Sequence, residues 1–90
     1  MLNKIYRVRV NWFISNESER EARSGEYIWY SQEKAREYLA SRRDAALKEV
    51  IPPVSIIVDN KNELIITRQV TYNGFTNLRV EHVTLETIIA

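Results

Sequence analysis

The chain contains no cysteine, one histidine, two glycines and two prolines in 90 residues. Each scarcity removes a class of chemistry. Without cysteine there is no disulfide framework, no thiolate metal site and no thiol nucleophile. A lone histidine, His82, cannot supply a two-histidine metal site within one chain. With Gly25 and Gly74 far apart in sequence, no phosphate-cradling glycine loop can form. No serine sits in a Gly-x-Ser-x-Gly turn, so a Ser–His nucleophile lacks its usual mounting. The acidic turn Asp59-Asn60-Lys61-Asn62-Glu63 has lysine at the third liganding position and no sharp-turn glycine, which makes it a turn rather than a calcium loop. No apolar run approaches the roughly 20 residues that span a bilayer. The N-terminus lacks the basic-then-apolar layout of a secretory signal. The expectation is a cytoplasmic, non-enzymatic protein with no metal, no cofactor and no membrane contact.

Charge of one sign is also scarce in net terms. Thirteen Lys and Arg against twelve Asp and Glu leave a net charge of +1. No global field therefore draws the chain to nucleic acid, and any basic site must be a local patch. What is present is globular in character: 44% apolar and 28% charged residues. Residues 1–90 make a single domain, burying about 60–65% of the surface its unfolded form exposes.

Residues 4–14, "KIYRVRVNWFI", alternate with a period of two and read as a strand. Residues 15–25 are polar, carry Glu17, Glu19 and Glu21, and close on Gly25; they read as a long connection. A second strand is expected at 26–31. Ser31 stands where a helix N-cap belongs, and the helix should run over about 32–50, ending before Pro52-Pro53. Ala35, Tyr38, Leu39, Ala46 and Val50 fall on one stripe of it. Three strands follow, the last two joined at Asn73-Gly74, a strong hairpin signal. The order ββαβββ predicts an α+β domain: an antiparallel sheet of four to five strands with one helix packed on one face.

Hairpin register decides which residues share a face. A two-residue Asn-Gly loop sets Ile66 opposite Glu81 and Arg68 opposite Arg79. A three-residue loop sets Ile66 opposite Val80 and Arg68 opposite Leu78, uniting the apolar residues, and is the expected choice. The helix side would then carry Tyr6, Val8, Val10, Trp12 and Ile14 with Leu64, Ile66, Leu78 and Val80. The reverse side would display Arg7, Arg9, Phe13, Gln69, Phe75 and Arg79, a set of guanidinium and ring groups typical of binding hot spots. These six are the expected partner-binding residues. The same composition suits nucleic-acid strands, whose bases stack on rings, and this is the alternative function. Arg42 and Arg68 break the helix-side pattern. They either snorkel to water or join a partly buried cluster with Glu49.

Beyond Val80 the apolar parity shifts to Val83 and Leu85, which predicts a bulge near Glu81-His82 or the end of pairing. Val83, Leu85, Ile88 and Ile89 either pack on the chain's own core or form a homodimer contact. The leading expectation is a small non-catalytic protein-binding module that occludes a partner's surface. Its size and its lack of catalytic constellations fit the accessory proteins and inhibitors that phages and other mobile elements encode.

Overall fold

A computed structural model describes residues 4–14, 23–49, 54–72 and 74–89. The acidic connection at 15–22, Val50, the Pro52-Pro53 step and Asn73 lie outside them. The elements are β1 (Lys4–Ile14), β2 (Arg23–Trp29), α1 (Gln32–Leu47), β3 (Val54–Asp59), β4 (Glu63–Tyr72) and β5 (Phe75–Ile89). The strands form one five-stranded sheet of order β2-β1-β5-β4-β3. Every neighbouring pair is antiparallel. The fold is α+β, as the element order predicts.

Ser31 caps α1: its extended backbone and its hydroxyl, which accepts from the Lys34 N–H at 3.3 Å, satisfy a first-turn donor. The helix stops at Leu47 rather than near residue 50. Its last N–H groups, of Lys48 and Glu49, bond three residues back to Ala45 and Ala46, which tightens and ends the last turn. β2 starts at Arg23, earlier than expected, because Gly25 is not a loop terminator. It pairs with Val10 inside the strand, and the Trp12 ring lies where a Cβ on Gly25 would make ordinary contact.

The core lies between α1 and one side of the sheet. Val8, Val10, Leu64, Ile66 and Val83 are fully buried against Ala35, Leu39 and Ala46 of the helix. Tyr6, Trp12, Trp29, Tyr38, Val54, Ile56 and Leu85 pack around them.

The expected three-residue hairpin loop is wrong. Tyr72 pairs with Phe75, Ile66 with Glu81, and Arg68 with Arg79. Gly74 takes the left-handed backbone, at φ 79°, that this tight turn needs. The expected bulge near Glu81-His82 is also wrong, since β5 keeps one register along β1, with Trp12 opposite Glu81, Val10 opposite Val83 and Val8 opposite Leu85. The parity never shifts. Glu81 simply occupies a helix-side position, and Leu78 and Val80 lie on the reverse side. The irregularity occurs instead in β3, between Ile56 and Val58. It turns Val58 to pair with Ile65 and Asp59 to pair with Leu64.

Candidate docking face on the sheet

Burying a carboxylate is costly unless its oxygens are bonded, so Glu81, 5% exposed, demands an explanation. Two donors and a nearby cation supply it. Glu81 Oε1 accepts from the Trp12 indole N–H at 2.9 Å and from Arg42 at 2.7 Å. Glu81 Oε2 lies 3.7 Å from Arg68. Arg68 in turn grips Glu49 in a two-pronged pair, both bonds 2.7 Å. This draws the Glu49 carboxyl below its ordinary value, chiefly through the hydrogen bond from Arg68. Arg42 also donates to the Tyr38 hydroxyl at 2.9 Å and lies over the Trp12 and Tyr38 rings at about 5.5 Å. Burial pushes the Tyr38 phenol up, against the pull of Arg42. Tyr38 completes an aromatic group with Tyr27 and Trp29, centroids 4.9 and 5.0 Å away. Arg42 and Arg68 are thus members of a partly buried cluster, not snorkelling side chains. The cluster ties α1 to β1, β4 and β5. Every buried charge in it is spoken for, so it reads as structural.

The reverse side of the sheet is different. No described element covers it. At one end Arg7 is hydrogen-bonded to Glu86, and Arg9 bonds Glu26 at 3.2 Å. The Arg7 bond draws the Glu86 carboxyl below its ordinary value, with Arg9 adding to the effect. At mid-sheet His82 and Glu63 meet at 2.8 Å. Beyond them the register places Phe13 opposite Val80, Val80 opposite Thr67, and Leu78 opposite Gln69. Phe13, Val80 and Leu78 are the apolar part of this strip and Thr67 and Gln69 its polar margin; Phe13 and Leu78 stay 36% and 39% exposed.

The structure therefore brings together four of the six expected partner-binding residues: Arg7, Arg9, Phe13 and Gln69 share the reverse side. Arg79 does not join them. It pairs with Ile14 and Arg68 on the helix side, which corrects the expected placement. The backbone of Phe75 pairs with Tyr72, and its side chain lies outside the description. Of the four C-terminal residues, Val83 is fully buried and Leu85 packs on the core, so these two serve the chain itself rather than a dimer contact. Ile88 pairs with Ile5, and Ile89 remains largely exposed beside Lys4.

Sequence reasoning missed Leu78 and Val80 as surface residues and Glu81 as the buried counter-ion. One signal could have found all three. Two unmatched arginines on the helix side require a carboxylate, and the plain Asn-Gly loop delivers Glu81 to them. No protein-family model matches this chain, and neither a curated protein nor a solved structure is significantly similar to it. No helix among the described residues is long and apolar enough to cross a membrane.

Proposed function

We propose that this chain is a small non-catalytic protein-binding module that works by covering part of a partner's surface with the reverse side of its sheet. One observation carries the reading. One side of a five-stranded sheet is bare of any described element, yet bears an apolar strip around Phe13, Leu78 and Val80. Solvated sheet faces normally alternate to polar residues. Rigid strands holding a flat strip beside fixed ion pairs need little reordering on contact, which lowers the entropic cost of association. Protein is favoured over nucleic acid, because Glu86 and Glu26 already neutralise Arg7 and Arg9. An inhibitor of the kind phages and other mobile elements encode would use such a face by steric occlusion.

The test compares wild type with Phe13→Asp and Leu78→Asp in capture from native lysate, with Lys34→Asp on the exposed helix surface as control. Each protein is first shown to be folded by circular dichroism. The two strip variants should lose a partner that wild type and control both retain, with the mass of the captured complex fixing stoichiometry. Retention by all four proteins would remove the reverse side as the site. Binding that collapses with a steep log–log salt slope would shift the reading to nucleic acid.

A further inference from the structure

An open sheet has two edges, and proteins usually blunt both. Here they differ. β3 follows two prolines in sequence and has its ladder broken between Ile56 and Val58. β2 pairs with β1 in seven consecutive register positions, with no break, no proline and no lysine. Among the described residues nothing pairs with its outer edge. Large apolar side chains gather along that edge: Tyr27 is in part exposed, Ile28 is 59% and Tyr30 81% exposed.

We infer that the outer edge of β2 pairs with β2 of a second copy, continuing the sheet across a two-fold axis. The axis for such an antiparallel pair stands perpendicular to the sheet, so it sets same-side residues opposite each other. Centring on Glu26 would confront two carboxylates, and like charges directly opposed are destabilising. Centring on Tyr27 avoids this. Tyr27 then meets Tyr27 of the second copy, Glu26 meets Ile28, Gly25 meets Trp29, and Ser24 meets Tyr30. The edge is compatible with itself in this register, with no like charges directly opposed and Glu26 set against an apolar residue. A foreign strand would have to supply the same pattern. The patch is small, in the class that buries under about 1,200 Å² in total, so the dimer is weak and concentration-dependent. The docking face of the proposed function lies on the flat of the sheet and is left free.

The register makes a charge test possible. Sedimentation equilibrium of the full chain, from micromolar to millimolar concentration, should pass from the mass of one chain to that of two. Ile28→Glu sets a carboxylate opposite Glu26 and should raise the dissociation constant at least about tenfold. Ile28→Lys sets an ammonium there and should leave dimerisation intact or strengthened. A second measurement exploits the absence of native cysteine. Ser24→Cys and Tyr30→Cys proteins, mixed under mild oxidation, should cross-link to each other faster than either does to itself, since opposed Cα atoms lie about 5 Å apart. A single-chain mass at every concentration overturns the proposal. So does equal loss of dimer in both Ile28 variants, or random cross-linking of the mixed cysteines.

Discussion

Glu81 shows most clearly how one residue decides a fold's details. A pairing scheme that matches oily residues would put Val80 beneath the helix. The chain puts a carboxylate there, because Arg42 and the Trp12 N–H need an acceptor and Arg68 adds its charge nearby. Removing it leaves the Arg42 guanidinium and the Trp12 N–H without their shared acceptor in a partly buried site, while Arg68 keeps Glu49. Glu81→Ala should therefore destabilise by about 3–5 kcal/mol. Glu81→Gln, which keeps an acceptor oxygen, should cost less. A double-mutant cycle with Arg42→Met in urea should return a coupling energy of about 0.5–3 kcal/mol. Additive losses would mean that the pair contributes nothing of its own. Two further carboxylates set the response to acid. Glu49 and Glu86 titrate below their ordinary value when folded, held by Arg68 and Arg7. Stability from a depressed carboxylate is present above its unfolded pKa, about 4.3, and is lost as pH falls through the lower folded value. The melting temperature should thus be level from neutrality to about pH 5 and drop below about pH 4. Glu49→Gln and Glu86→Gln should each flatten that drop, and an unchanged slope in both would show that other groups govern the acid response.

The elements differ in how plainly they could be read. β1 announces itself by strict alternation, α1 by the Ser31 cap and its Ala35-Leu39-Ala46 stripe, and the last hairpin by Asn-Gly. The limits of β2 were not legible, since glycine in a strand looks like a loop until the Trp12 ring that covers it is known. The break in β3 leaves no signature in an unbroken run of β-formers. The candidate face was legible in part. Arg7, Arg9 and Phe13 follow from β1 alone, whereas Arg79, Leu78 and Val80 depend on the hairpin register, which pairing of apolar residues gets wrong. That register rests on Gly74 at φ 79°. No other group crowds the position, so the requirement is conformational. Gly74→Ala should lose about 1–2 kcal/mol, with Gly74→Asn losing less, since Asn tolerates the left-handed region. Chemical denaturation measures both. Indifference to alanine would mean that the turn can adopt a longer loop.

At the scale of the whole molecule, one helix cannot round off a five-stranded sheet. The extents are 56 × 29 × 16 Å and the radius of gyration is 14.8 Å, against about 12 Å for a compact chain of this length. A plate this thin has a graded interior, because protection of a strand depends on neighbours at both edges and on the helix above. Residues 79–84 of β5 pair with β1 on one side and β4 on the other, and Val83 is fully buried beneath the helix. Opening them requires breaking the sheet in the middle. β2 and β3 each pair on one side among the described residues, and local fraying suffices to expose their amides. Hydrogen exchange in dilute solution should rank protection in the order β5 and β1, then β4, then β2 and β3. Raising the protein concentration should then slow exchange in β2 while leaving β3 unchanged, because an edge that recruits a second copy becomes an interior strand and a broken edge does not. Equal slowing of both edges would point to general association rather than strand pairing. Protection in β2 that already matches β5 in dilute solution would mean that the sheet does not end where β2 does.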